Sequence, residues 1–226
     1  MFTVSPAWKA AYPGAAVGVL AIHAAPNPPT CPPLDRRKEE LEEELRSRFS
    51  GYDRAALKAL PVLLAYEAYY KRFNKTYHVQ LQLESLLLKG KSIPRVAALV
   101  EAMFMAELKN LLLTAGHDLD AIQQPVGVDV AQGHERYQML NGQEQQLKAG
   151  DMAIHDSQGI ISSVLYGPDQ RTRITALTQR VLFTVYAPPG IEEKLLSEHL
   201  HDIQSYVLLI APAAQVQSMQ VYGTTP

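Results

Sequence analysis

Near residue 125 the spacing of apolar side chains changes, and no other feature of the sequence constrains the fold as much. Before that point apolar residues recur every three to four positions, as on one face of a helix; after it they alternate, as on one face of a strand. Short runs at 126–131, 135–140, 152–156, 160–166 and 181–187 are punctuated by Gly133, Asn141-Gly142, Gly150-Asp151, Gln158-Gly159 and Gly167-Pro168. Asn-Gly is the strongest short hairpin signal, because both central residues of a type I′ turn need positive φ. The pattern predicts an α+β fold, with helices packed on a largely antiparallel sheet in two interlocked layers. It places one unit over residues 1–226, mainly helical at 33–110, mainly β at 111–187, with a closing helix and strand at 191–222.

Within the first half, residues 15–25 form an apolar run rich in Val and Ile and too short for a membrane, which predicts a buried strand ended by Pro26-Asn27-Pro28-Pro29. Apolar residues at 34, 41, 45 and 49, with opposite charges paired four apart (Arg36 with Glu40, Glu42 with Arg46, Glu44 with Arg48), predict an exposed amphipathic helix over 33–49. Asp53 caps a further helix that Leu60-Pro61 interrupts, and another runs from Pro61 to Phe73 with Leu64, Tyr66, Tyr69 and Tyr70 on one face. Burial alone explains those aromatics. Residues 77–89 read as a helix stopped by Gly90.

From Pro94 onward, residues 96, 99, 100 and 103 define one buried helix face, and Leu111 to Leu113 reads as a strand. This strand delivers Gly116-His117-Asp118-Leu119-Asp120 to its end, where a rigid scaffold commonly presents functional groups. A helix from Ile191 to about Leu209 and a strand from Gln215 to Tyr222 complete the chain.

Charge and composition narrow the function. The net charge is −2 and the pI near 6.4, so no global field attracts nucleic acid or an anionic membrane, and no DNA partner is expected. RNA contact requires a local patch, for which Lys71, Arg72 and Lys75, then Lys89, Lys91 and Arg95, then Arg171, Arg173 and Arg180 are the candidates; the same clusters also fit solvated helix and loop ends. Cys31 is the single cysteine, which excludes an intrachain disulfide and a thiolate cluster. The chain holds no stretch of roughly eighteen uncharged apolar residues and its start makes a poor signal peptide, so the expected setting is cytoplasmic with no membrane contact.

No metal or cofactor is expected. His155-Asp156 point to opposite faces of a strand, and His199 and His201, two apart on a helix, have the wrong spacing for a shared metal and read as an exposed face. Ser162-Ser163 lacks the Gly-x-Ser-x-Gly context of an elbow nucleophile. His117 is the side chain whose ordinary pKa suits a base at neutral pH; its plain structural alternative is a core or capping position, with Asp118 capping a short helix over 118–122.

The order helix, apolar strand, His117-Asp118-Leu119-Asp120 resembles the B three/four editing module of the phenylalanyl-tRNA synthetase β subunit. Further motifs follow in register: Leu140-Asn141-Gly142, then Leu147 through Asp151, Ile154 and Asp156, then Thr175-Ala-Leu-Thr178-Gln-Arg-Val181-Leu182. The segment His23-Ala-Ala-Pro-Asn-Pro28 is similar to the stand-alone version of that module. The resemblance implies a tRNA or aminoacyl-tRNA partner and a pocket near His117, with His117 and Asp120 in the catalytic role, and Gly116, Asp118, Ser163, Thr184 and Arg95 around the substrate. It implies either hydrolysis of mischarged aminoacyl-tRNA in trans or, alternatively, binding without catalysis, and leaves the number of subunits open. The departures are Ala97 and Ala98 where the module carries asparagines, and Thr184 where it carries a pocket glutamate. Threonine can neither act as an anionic base nor bind an α-ammonium by charge.

Overall fold

Strands Ala16–His23 and Val181–Ala187 are apolar on both faces and pair antiparallel in unbroken register, Ala16 opposite Ala187 through Ile22 opposite Val181. Such strands need cover on both sides, and the rest of the chain supplies it. A computed structural model describes residues 2–223. In chain order the elements are β1 (Phe2–Val4), α1 (Pro6–Ala11), β2 (Ala16–His23), α2 (Pro32–Arg48), α3 (Arg54–Lys58), α4 (Pro61–Lys71), α5 (His78–Lys89), α6 (Ala98–Asn110), β3 (Leu113–Asp118), β4 (Val126–Val130), β5 (Arg136–Gln138), β6 (Glu144–Gln146), β7 (Met152–Asp156), β8 (Gly159–Ser163), β9 (Gly167–Pro168), β10 (Val181–Ala187), α7 (Glu193–Ile210) and β11 (Gln215–Gly223).

The architecture is α+β, and all strand pairs but one are antiparallel. One sheet has the order β11-β2-β10-β3 and a second the order β1-β4-β7-β8-β9, in which only β1 and β4 run parallel. Helices α6 and α7 cover one face of the first sheet; Gly18 of β2 makes room there for Leu200 of α7. The second sheet meets the opposite face, where Tyr186 Oη and Ser162 Oγ lie 2.5 Å apart.

Helix α4 ties the two sheets together through phenols. Tyr66 Oη donates to the carbonyl of Tyr186 in β10 and accepts from the amide of Leu113 in β3 (2.8 Å). Tyr69 Oη donates to Asp151 (2.6 Å) and accepts from the amide of Met152 (2.7 Å), and Tyr70 Oη donates to the carbonyl of Val164 (2.6 Å). The aromatics of this helix are therefore core. Leu63 is the buried leucine of that face, and Leu64, expected there, is 49% exposed.

Other elements differ from the sequence expectation for identifiable reasons. Strand β1 and helix α1 were not foreseen, because three and six residues are too few to show a period; Ser5 caps the helix at the amide of Trp8 and Trp8 is fully buried. Helix α6 starts at Ala98, with Pro94 and Arg95 in the preceding coil and Val96 exposed, because Asn27 Oδ1 caps the amide of Leu99 (2.9 Å) and Glu101 takes the amide of Val96 (2.7 Å). Leu111 takes a left-handed C-cap (φ 62°), so the strand begins two residues later than the apolar run.

On α2 the charged face is not wholly solvated. Buried Lys38 pairs with Glu101 of α6 (2.5 Å), and Glu42 takes the amide of Ile93 (2.7 Å). At Asn141-Gly142 only Gly142 has positive φ, and its amide returns to the carbonyl of Met139 (2.8 Å); the left-handed residue follows the turn instead of lying within it.

Replacing Tyr66 by Phe removes one hydroxyl from two backbone groups of neighbouring strands and leaves the Leu113 amide buried without its acceptor. The expected cost is about 1–3 kcal/mol, read in thermal unfolding as a midpoint lowered by roughly 2–4 °C per kcal/mol for a chain of this size. An unchanged midpoint would mean that the phenol does not join the two strands to α4.

Candidate functional site: two cavities flanking one ridge

The alternation of β3 decides what faces where. Thr114 and Gly116 point toward α6 and α7, while Leu113, Ala115 and His117 share the opposite face, toward the second sheet. Between α6 and the first of these faces lies a cavity of about 360 Å³, lined by Val100, Met103, Phe104 and Glu107 of α6 and by Thr114 and Gly116. Leu140, Gly167, Pro168, Arg173 and Ile174 form its outer wall. The volume falls in the ~300–1,000 Å³ range of small-ligand sites, and the lining is mostly apolar with few polar groups. Gly116 keeps it open: a Cβ there would lie 2.7 Å from Ile174 Cδ1 and 3.4 Å from Met103 Sδ.

Glu107 is the carboxyl of that wall and is 1% exposed; His78, whose pKa burial lowers, also lines the cavity. Burial pushes the pKa of Glu107 up to about 8, opposed by the hydrogen bond its Oε1 accepts from the Thr114 amide (2.8 Å). Thr114 Oγ1 in turn lies 2.7 Å from Nε2 of His199, whose Nδ1 is 3.2 Å from Asn110 Nδ2. His199 is fully buried, contrary to its expected exposure, and burial lowers its pKa to about 3; His201 is exposed. The neutral imidazole thus links α7 to β3. Periodicity alone could have indicated this, since Leu196, Leu200 and Ile203 bury the same helix face.

Residues 167–174 form a ridge, and on its other side is a second cavity of about 390 Å³ lined by Arg136, Tyr137, Gln138, Asp169, Arg171 and Arg173, among others. Arg173 lines both. The ridge is fastened to β3 by a bridge between His117 and Arg173 and by the bond from the Asp118 amide to the Thr172 carbonyl (2.7 Å).

That fastening seals His117. It is 0% exposed and its Nδ1 lies 2.8 Å from Thr172 Oγ1. Thr172 Oγ1 donates its proton to Asp169, so the imidazole carries its proton on Nδ1 and leaves Nε2 as an acceptor with no partner among the described residues. Burial, helped by the Arg171 charge, holds its pKa near 3. Thr184, opposite Ala115 on this same face, and Ser163 are likewise sealed, at 0% and 1% exposure. The expected grouping of His117, Ser163 and Thr184 around a substrate is corrected here: the three lie inside the intersheet layer and line neither cavity.

The remaining expected residues scatter. Gly116 and Arg173 line the apolar cavity, and Arg171 the polar one. Asp118 caps the 3₁₀ turn at Leu119–Ala121 and accepts from Thr178 Oγ1 (2.7 Å). Asp120 is exposed and paired with Arg180 (2.6 Å), away from His117. Lys89, Lys91 and Arg95 are exposed around the α5–α6 connection, where Lys91 borders a groove and the other two line neither cavity. Glu107 was missed because its register on α6 is ordinary; only the position of β3 reveals that it faces a cavity. Among the described residues no group of three or more His, Cys, Asp or Glu side chains could hold a metal ion. Among the described residues no helix is long and apolar enough to cross a membrane.

Fold and cavities together define an α+β architecture with two cavities flanking a ridge at the edge of the first sheet. The chain belongs to the B3/4 domain family, whose sequence model matches residues 64–207. Among solved structures it is similar to an N-terminal fragment of the phenylalanyl-tRNA synthetase beta-subunit from Pyrococcus horikoshii, with 12% identity and a TM-score of 0.48 over 98% of this chain and 50% of that one. The chain thus spans about half of that fragment. No curated protein matches it significantly in sequence.

Glu107 gives a signed pH dependence. Its folded pKa lies above the ordinary carboxylate value of 4.5, so the folded chain holds the proton more tightly; this contribution to stability is complete below about pH 4.5 and lost as pH rises through about 8. In denaturant titrations the wild type should therefore lose stability relative to Glu107→Gln as pH rises from 5 to 8, after which the two run parallel. A constant difference across that range would show that the carboxyl is not held neutral.

Proposed function

We propose that this protein binds the aminoacylated 3′ end of a tRNA, with the aminoacyl group in the apolar cavity beneath α6. The observation that carries the reading is the pairing of an apolar cavity with one buried carboxyl, Glu107, and an arginine at its lip, Arg173. An aminoacyl ester has an apolar side chain, an α-ammonium and an adjoining ribose phosphate, and these walls offer a counterpart to each. Membership of the B3/4 family and the synthetase-like motifs supply the RNA context. Thr184, on the other face of the sheet, cannot provide the negative charge of the family's pocket glutamate; Glu107 offers a carboxyl that an arriving ammonium can ionise.

Hydrolysis in trans is the second reading, and Glu107 is also what favours it. The ionised fraction of a carboxyl with a pKa of about 8 is a better base than an ordinary carboxylate and can take a proton from water attacking the ester, whose ribose oxygen leaves. His117, sealed and with a pKa near 3, is poorly suited to that task.

Both readings are tested on the same carboxyl. An ammonium brought against Glu107 favours its ionised form, so calorimetric titration at pH 7 with phenylalanyl- or tyrosyl-amide analogues of 3′-aminoadenosine should release about one proton per ligand. In Glu107→Gln the release should vanish and affinity fall about tenfold, as expected for losing roughly 1.4 kcal/mol of charge interaction. Binding that is unaffected by Glu107→Gln, with no proton release, would sink the proposal. Deacylation of tyrosyl-tRNA above the buffer rate, abolished in Glu107→Gln and kept in His117→Gln, would select the hydrolytic reading.

A further inference from the structure

The polar cavity across the ridge is chemically unlike the apolar one, and its charges are not all committed. Arg171 is a fixed wall: it bonds Asp156 (2.9 Å) and the carbonyl of Ala121 (2.9 Å) and lies 3.7 Å from Asp169. Asp169, the carboxylate in the lining, already accepts from the amide and hydroxyl of Thr172, so its charge is turned inward. Arg136 is different. It donates to Gln146 Oε1 (3.2 Å) and pairs with Glu144 across the β5–β6 hairpin (2.7 Å), with both side chains of the ion pair more than half exposed, a pair that water screens and that yields readily to another anion.

Arg173 has the freest charge. It forms no salt bridge among the described residues, and the one hydrogen bond its guanidinium makes there goes to the carbonyl of Gln170 (2.8 Å). A guanidinium offers five donors in a planar fork that matches a phosphate edge. Two such forks, Arg136 and Arg173, border one cavity of about 390 Å³, and Arg173 also lines the apolar cavity on the other side of the ridge.

We infer, resting on the reading of the apolar cavity given above, that the arginine cavity is a phosphate subsite of the same ligand: Arg136 and Arg173 hold the phosphodiester immediately 5′ of the terminal adenosine while the acyl group sits across the ridge. Ordinary RNA linkage then connects the two cavities, and Arg173 borders both the ester and the phosphate. Arg136 acts on the phosphate alone.

The experiment compares two hydrolysis-resistant probes by calorimetry on the intact chain: 3′-phenylalanylamido-adenosine, which has no phosphate, and the same amide on a CCA trinucleotide. The trinucleotide should bind at least tenfold more tightly and weaken as salt rises. Arg136→Gln should weaken it about fivefold and flatten the salt slope by about 0.7, the value of one single-strand phosphate contact, while leaving the phosphate-free probe and the melting temperature unchanged.

Equal affinity for the two probes, or a trinucleotide indifferent to Arg136→Gln, overturns the phosphate subsite and leaves the acyl cavity standing. Failure of both probes to bind overturns both. Inorganic phosphate that competes with the trinucleotide at equal molar concentration would reassign the cavity to free anions and so overturn the RNA assignment. Should Arg136→Gln fold poorly, Glu144→Gln, which frees the same guanidinium, must tighten the trinucleotide.

Discussion

Three successive phenols on one short helix hold this molecule together. Tyr66, Tyr69 and Tyr70 each send a hydroxyl to a strand end or a loop of the two sheets, and Tyr66 stacks on Tyr77, whose own hydroxyl reaches the carbonyl of Leu111 (3.0 Å). A buried phenol without a partner is costly, so each ring tolerates only the sheet arrangement that supplies one. The relative position of the sheets, and with it the intersheet layer that encloses His117, is thereby set from α4. Burial raises the pKa of all four phenols, so at neutral pH they remain protonated donors.

The functional consequences follow from the two-residue period of β3. A shift of one position exchanges the occupants of its two faces. In the observed register Gly116 and Thr114 border the cavity, while His117 and Ala115 face the other sheet, opposite Leu182 and Thr184. The ridge at 172–173 then pairs with the outer edge of β3, satisfying a strand edge that would otherwise present unpaired backbone, and in doing so it closes over the imidazole. Sealing the edge and burying the histidine are one event.

Much of this was legible in the sequence. The period change near residue 125, the prolines after β2 and the tyrosine spacing of α4 state local rules that tertiary contacts reinforce. The helix caps were less legible where the capping group is distant: Asn27 caps α6 from seventy-two residues away, so the expected start at Pro94 was a turn too early. Functional residues were harder still. His117 drew notice because histidine titrates near neutrality, a property of the free side chain that burial removes. Glu107 looked like one more polar position on a helix, and acquires its raised pKa only from packing against β3.

Electrostatics gives the two cavities opposite preferences despite a net charge of only −2. One side of the ridge holds a carboxyl kept neutral by its surroundings, ready to ionise when a cation arrives; the other holds guanidiniums, one of them without a carboxylate. Global charge is silent about such an arrangement because a sum does not record where the charges lie. A ligand that is cationic at one end and anionic a few bonds away would be favoured on both sides at once. The arginine cavity also discriminates: an ammonium there meets like charge in a partly dehydrated wall, where repulsion is screened less than in water. The ridge thus sets the orientation of such a ligand as well as its affinity, and it can do so because β3 holds residues 172 and 173 in register.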